Sequence, residues 1–409
     1  MDISSQLDAI CEMVKTDIKE ASTLSTRLLQ QVLQLCGNER FEALKTLVDS
    51  MVYESMVLVI SRLVLSTIAD QLSTLPLQEA RPLSEYLVEK LTSRMISFEE
   101  QIAVARTFLA GILENEERWR EAALMLAAIP TETGQKQFSS EYKLKTYLHI
   151  AQLHLEDGNV ADGESYVNRA SLLQGDTKDE KLKLLYSVCY ARVLDNRRKF
   201  LEAAHRYYTI SYHALVHESQ RVESLRHALV CTVLASAGQP RTRMLGLLFK
   251  DERCQRLSEF PILEKMYLQR IIRSEELKEF SATLKPHQCA TTVDGTSTIL
   301  EHAAIEHNIL AASKLYSNIR FAELGRLLST SPDQAERIVC QMISESRMTG
   351  RIDQIEHVVY FADVNPILTL DDRIEQLCAQ TNTIYSQIQE LHPEWAESKL
   401  ASIQASLQA

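Results

Sequence analysis

Histidine and cysteine are the residue types in this 409-residue chain that could carry chemistry, eleven of the first and eight of the second. His213 and His217 stand four apart on a predicted helix, the spacing that sets two imidazoles on one face for a metal. No HExxH surrounds them, and Glu218 follows the second histidine, whereas a zinc protease needs its glutamate earlier. His149 and His154 are five apart, as are His302 and His307, so each pair falls on different helix faces. The cysteines (Cys11, Cys36, Cys189, Cys231, Cys254, Cys289, Cys340 and Cys378) contain no CxxC and no spacing below 23. Zinc sites need clustered ligands. An HxH with a downstream Asp, a GxSxG and a GxxxxGK[ST] are all missing. The reading is structural or surface histidines and buried free thiols, with no catalytic residue, no metal site and no cofactor.

The elements that would have to position a site are helical. Eleven glycines and nine prolines make roughly 5 % of the chain, against a usual value of about 12 %. With 45 % hydrophobic residues, so few breakers predict many helices joined by short turns. The net charge of −11 disfavours a polyanion as the main partner. Met1-Asp2-Ile3-Ser4 lacks the basic start of a signal peptide. The apolar run Met56–Ile60 is closed by Arg62, far short of the ~20 residues of a membrane span. A soluble intracellular protein, with no membrane partner, is expected. Residues 1–95 read as amphipathic helices, the surest being Phe41–Ser50 and Ser55–Leu72, with turns at Leu75-Pro76 and Arg81-Pro82.

The middle of the chain repeats. Ala110, Ala151 and Ala191 are 41 and 40 residues apart, and nine residues after each comes an apolar residue, Trp119, Val160 or Phe200. Each is followed by a helix start rich in small residues: Arg120-Glu121-Ala122-Ala123, Ala161-Asp162-Gly163-Glu164 and Leu201-Glu202-Ala203-Ala204. Polar turns, Glu114–Arg118, Glu156–Asn159 and Asp195–Lys199, lie between. A helix–turn–helix unit recurring in phase is a tetratricopeptide-like solenoid, in which Trp119 and Phe200 are expected as buried plugs. An irregular helical domain is the alternative. A degraded fourth unit is read from His227 through Gly238-Gln239-Pro240 to Phe249. Two stretches are locally basic, Arg192–Arg206 with five basic and two acidic residues and Arg241–Arg273 with eight and four. They read either as solvated faces or as a docking face for an acidic partner.

Around Leu315–Phe361 the pattern changes. Tyr316–Ile319 suits a strand, and Phe321, Leu324, Gly325 and Leu328 mark one helix face. Ser331 and Pro332 suit the cap and first turn of a second helix with Ala335, Ile338, Val339, Met342 and Ile343 inside. Ile352 and Val358–Phe361 follow as a hairpin. This is the order of a winged helix. Five basic and six acidic residues between 315 and 361 do not make the cationic footprint that nucleic acid requires, so protein docking is favoured over nucleic acid. Before it, 283–298 is polar and reads as a loop, with Pro286 and Asp294-Gly295. The apolar stripe Ile299, Ala303, Leu310 and Leu315 leads in. After it, Leu370, Ile374, Leu377, Thr381, Ile384, Ile388 and Leu391 step by alternating fours and threes. That is a heptad seam with one polar residue, expected to pack in a bundle with other chains. The layout is therefore mainly α: helical-repeat solenoid at 1–282, including the helical part of the module that the winged helix completes, loop at 283–298, winged helix at 299–365, and C-terminal helices at 366–409.

A solenoid running into a winged helix and a terminal helix resembles the PCI module shared by the proteasome lid, the COP-nine signalosome and translation initiation factor three. Met95–Gln101, Ile129–Lys136, Asn168–Gln174, Cys189–Ala204, Phe249–Cys254 and Arg351–Gln354 narrow the resemblance to the signalosome's subunit-four family. It spans about residues 40 to 361; Thr330 departs from the family's often apolar residue at that turn. The resemblance implies a complex that removes the ubiquitin-like modifier Nedd-eight from cullins, with its zinc isopeptidase on another subunit. It implies neighbours met through the winged-helix sheet, where Ile319, Ile352, Val358 and Phe361 are the expected contacts, and through the terminal seam. It further implies an N-terminal arm toward a cullin–RING ligase, and a place in cytoplasm and nucleus. A proteasome-lid paralogue and a winged-helix nucleic-acid-binding protein are the alternatives.

Overall fold

The computed structural model describes residues 10, 12–13, 18–35, 37–53, 56–131, 138–291, 297–361 and 366–399. It forms two compact units, Met1–Cys231 and Thr232–Ala409.

The first unit is all helix. It runs through α1 (Ile18–Leu33), α2 (Gly37–Val52), α3 (Leu58–Gln71), α4 (Leu77–Thr92) and α5 (Glu99–Asn115). In α2 the buried Leu44, Leu47, Val48 and Met51 repeat at helical spacing. They share one core with Ile60, Val64, Leu65 and Ile68 of α3 and with Leu83, Leu87 and Leu91 of α4. Arg81-Pro82 is not the expected turn. Pro82 lies inside α4, where it removes one i→i−4 hydrogen bond from the ladder; the buried Leu83 and Leu87 beside it hold the helix on the core.

The repeat then appears as three helix pairs: α5 with α6 (Trp119–Ala127), α7 (Ser140–Glu156) with α8 (Val160–Leu173), and α9 (Glu180–Asn196) with α10 (Phe200–Ser211). Their turns are built alike. Glu117, Gly158 and Arg198 each take positive φ, at 59°, 81° and 62°. One residue on, the amides of Arg118, Asn159 and Lys199 donate to the carbonyls of Leu113, His154 and Leu194. This is the Schellman closure, and it recurs at the repeat's own spacing. Ala110, Ala151 and Ala191 are fully buried, as are Ala122, Ala123, Ala203 and Ala204, so the paired helices meet through small side chains. Gly163 takes the same place in the middle unit, where an added Cβ would lie 3.3 Å from Leu155. Of the three plugs, Phe200 is 6 % exposed, but Trp119 and Val160 are only half-buried. The expectation of a fully buried Trp119 is corrected: it packs at the margin of the α5–α6–α7 core, being the first residue of its helix.

The second unit begins in α11 (Glu218–Leu234) and continues through α12 (Gln239–Lys250), α13 (Phe260–Tyr267), α14 (Ser274–Ser281) and α15 (Ile299–Leu315). The division at Cys231 falls inside the 1–282 span, whose later helices were expected to belong to the module that the winged helix completes. Long-range hydrogen bonds from α15 explain this, because Glu306, His307 and Asn308 hold Ala237, Arg270 and Ile272. Of the expected loop, residues 292–296 lie outside the described residues, and Thr291 and Thr298 pair as an isolated bridge. Thr298 caps α15 in a capping box with Glu301. The winged helix follows: β1 (Asn318–Arg320), α16 (Phe321–Leu328), α17 (Pro332–Ser344), β2 (Arg351–Asp353) and β3 (Val358–Tyr360). The antiparallel sheet has the order β1-β3-β2, leaving β1 and β2 as edges. After it come α18 (Pro366–Leu391) and a short helical stretch at 393–399. Among the described residues no helix is long and apolar enough to cross a membrane.

Candidate functional site

The residues with chemical potential are dispersed. α10 ends at Ser211, so His213 and His217 lie in the connection to α11 and share no helix face. This corrects the helical expectation: the Nδ1 of His217 is instead engaged by Ser219 at 2.8 Å. His149 meets Glu114 at 2.8 Å, and His154 stacks on Tyr166 with centroids 5.9 Å apart. Among the described residues no group of three or more His, Cys, Asp or Glu is placed to hold a metal. Cys189, Cys231 and Cys254 are buried, but Cys289, Cys340 and Cys378 are exposed, so the thiols are not uniformly interior. Burial pushes the Cys189 and Cys254 thiols up to about 12, which leaves them protonated and weakly nucleophilic.

What the second unit builds is a winged helix packed on a core of its own. Phe321, Leu324 and Leu328 of α16 and Ala335, Ile338, Val339 and Met342 of α17 share one core with Ile309 and Ala312 of α15. Ser331 caps α17, accepting the Gln334 amide, and Pro332 opens the helix, as expected. Gly325 is required by close approach: a Cβ there would stand 2.9 Å from the Thr330 carbonyl and 3.3 Å from the Pro332 nitrogen.

A buried polar cluster fastens this module to the helices before it. The Glu306 carboxylate is 1 % exposed and lies 2.7 Å from Nη1 of Arg347, at the end of the winged helix's second helix. Its other oxygen accepts the Ala237 amide at 2.8 Å. Asn308 accepts the Ile272 amide at 2.8 Å and donates to the Ile272 carbonyl at 2.9 Å. His307 Nε2 donates to the Arg270 carbonyl at 2.9 Å. Desolvation, helped by the Arg241 charge, drives that imidazole down to about 4, so it is neutral. Arg241, buried, donates to the Val233 carbonyl at 3.2 Å; burial lowers its guanidinium to about 10, still charged at neutral pH. Buried groups tied together by this many bonds fix one geometry, although Nε of Arg241 has no hydrogen-bond partner.

The sheet and the last helix are what remains to be offered. Ile319, Val359 and Ile352 lie opposite one another in the ladder and pack on the module's own core, as does Phe361. Side chains alternate across a strand, so Val358 falls on the other face with Arg320 and Asp353. Three of the four expected contact residues thus spend their side chains on the module's core, and Val358, on the other face, is also buried at 8 % exposed. What their strands present outward is the β1 and β2 edges. Ile355, 93 % exposed, stands at the wing tip, where Asp353 accepts the Ile355 and Glu356 amides. Sequence reading passed over it because a lone apolar residue between polar ones carries no periodicity.

The seam stands as expected in position and is left in water. Leu370, Ile374, Leu377, Ile384 and Leu391 are 51–74 % exposed, and Ile388 is half-buried. Tyr385 joins them at 43 % exposed. The polar member, Thr381, donates its hydroxyl to the Leu377 carbonyl at 2.8 Å, so it carries no unsatisfied proton into the stripe. A 26-residue helix thus carries an apolar row that no described residue covers.

Residues 9–219 match the family described as PSMD12/CSN4, N-terminal, and residues 261–363 match the PCI domain. A Drosophila melanogaster protein named COP9 signalosome complex subunit 4 is 50 % identical over 97 % of this chain and 97 % of its own. Proteins of the same name from Arabidopsis thaliana and Dictyostelium discoideum are 42 % and 41 % identical, over 86 % and 93 % of this chain and 90 % and 98 % of theirs. A helical repeat read into a winged helix, with an unburied terminal seam and relatives matched over nearly their whole length, places the chain in the COP9 signalosome complex subunit 4 family.

Proposed function

We propose that this chain is a non-catalytic scaffold and substrate-docking subunit of a COP9 signalosome, the complex that removes Nedd-eight from cullins and so regulates cullin–RING ubiquitin ligases. The observation that carries the reading is the seam of α18, whose apolar row has no cover among the described residues. Neighbouring subunits would cover it in a helical bundle and continue the winged-helix sheet at β1 or β2, while the first unit would serve as the arm toward the ligase. The dispersed histidines and the protonated buried thiols support a role without chemistry of its own. The work is placed in cytoplasm and nucleus, where cullin–RING ligases are regulated.

The test is affinity purification of the tagged chain from both compartments, with mass spectrometry, beside a deneddylation assay on the isolated chain. Signalosome subunits and cullins are expected to co-purify, and the isolated chain is expected to leave a neddylated cullin intact. Proteasome base ATPases in place of signalosome subunits would move the chain to the lid. Zinc-dependent cleavage by the chain alone would overturn the scaffold role.

A further inference from the structure

Away from the assembly module, the third repeat holds a small cavity of about 170 Å³ between α9 and α10, lined by Lys183, Ser187, Arg206, Thr209 and His213 among others. Its Arg206 ends the basic stretch Arg192–Arg206, which the assembly reading leaves without a task. Within that stretch Arg192 bonds Glu156 at 2.7 Å, and Arg197 bonds Glu164. Lys183 and Arg206 are not matched. Neither has a carboxylate partner among the described residues, although Glu180 and Glu202 stand one helical turn from them. Arg206 is instead laid over the Tyr190 ring, 4.2 Å from its centroid, and Tyr190 stacks on Tyr186 at 5.9 Å. A guanidinium held by its flat face keeps its N–H edges free and gives up little entropy when it binds.

The hydroxyls in the cavity are already committed. Ser187 donates to the Lys183 carbonyl at 3.0 Å, and Thr209 donates to the His205 carbonyl at 2.9 Å. The donors left are the Lys183 ammonium, the Arg206 guanidinium and the His213 ring, whose Nδ1 is buried without a hydrogen-bond partner. Two basic side chains without an ion pair among the described residues therefore line one small cavity, on a chain whose net charge is −11. A carboxylate would balance only one of them, and a cavity of this size admits a single head group. A phosphate monoester carries about −1.5 to −2 charges on one group, with three acceptor oxygens. Beside His213, the exposed Tyr212 and Leu215 supply apolar surface for the residues flanking such a group in a peptide.

We propose that the cavity between α9 and α10 is a docking site for a phosphorylated serine or threonine of a partner protein, with Lys183 and Arg206 as its charge-reading residues. The site is separate from the seam and stands whether or not the assembly reading holds. It is tested on the isolated full chain by fluorescence anisotropy. The probe is a labelled peptide library with a fixed central phosphoserine and randomised flanks, compared with libraries carrying Ser or Glu at the centre. The phosphoserine library should bind more tightly than either by about tenfold or more, and Lys183→Ala or Arg206→Ala should each weaken it about tenfold. Both variants should melt with the wild type, because neither side chain is in the core. Equal binding of the Glu library, no binding of the phosphoserine library, or binding indifferent to both substitutions would each overturn the proposal. So would inorganic phosphate competing at the peptide's own concentration, since the ligand would then be a free anion and not a protein.

Discussion

Replacing Ile384 and Ile388 together by glutamate separates folding from assembly. In the isolated chain Ile384 is 56 % exposed and Ile388 half-buried, so little apolar contact is lost. Surface substitutions of this kind cost within about 0.5 kcal/mol, and the new i,i+4 glutamate pair adds a few tenths by repulsion. In a complex the sums differ. Full burial of a Leu or Ile side chain is worth about 1.5–3 kcal/mol. Leu370, Ile374, Leu377, Ile384 and Leu391 still have half to three-quarters of that to gain. Covering them would contribute about 6 kcal/mol before the entropy of association. Two glutamates inside such a bundle would remove the central part and add a desolvation cost of several kcal/mol. Circular dichroism melts of the purified variant, run beside co-purification from cells, decide the matter. The expected result is an unchanged cooperative melt and loss from the complex. A variant that unfolds alone would show that the seam belongs to this chain's own core, and one that assembles normally would show that it is no interface.

Phe200→Ala should destabilise the first unit by about 3–5 kcal/mol and Trp119→Ala by clearly less, since Phe200 is 6 % exposed and Trp119 half-buried; equal losses in urea unfolding would contradict the burial assigned to the repeat. His307 gives a pH signature. Its folded-state value is lowered to about 4 from an ordinary ~6.5, so the unfolded chain takes the proton first. Stability is full above pH ~6.5 and is lost as pH falls toward ~4, by about 2 kcal/mol between pH 7.5 and 5. His307→Gln, which keeps a donor for the Arg270 carbonyl, should flatten that part of the urea-midpoint profile; an unchanged slope would remove His307 as its source. Gly325→Ala gains about 1 kcal/mol of helix propensity but drives a Cβ to 2.9 Å from the Thr330 carbonyl, a backbone contact whose relief costs about 1–3 kcal/mol. A lowered melting temperature is expected, and a raised one would mean that the turn yields freely.

The parts of this fold that could be read in the sequence are those whose signal is periodic and local. The repeat was legible because a Schellman turn places a small-residue helix start at a fixed distance beyond a left-handed residue. Glu117, Gly158 and Arg198 show that the backbone kept the period even where only one of the three is glycine. The seam was legible because a heptad needs no partner to be visible. The sheet was less so. Strands of three residues are too short for alternation to say which face is inner, and Ile319 and Ile352, expected as contacts of the sheet, pack on the module's own core.

The grouping of the helices after Cys231 with the winged helix was hard to read for a different reason. α15 was read as an apolar stripe, Ile299, Ala303, Leu310 and Leu315, yet Leu315 is exposed and the helix is buried on nearly every side. Stepping from Ala303 by three and then four reaches Glu306 and Leu310, so a glutamate occupies a core position of that stripe. A buried carboxylate demands a cation and donors. Arg347 and the Ala237 amide supply them, from positions 41 residues after and 69 residues before it in the chain. Nothing in local periodicity could name those partners, but the misplaced charge itself was visible. It marks the point where the helices after Cys231 and the winged helix must fold as one body, because neither half alone can satisfy Glu306.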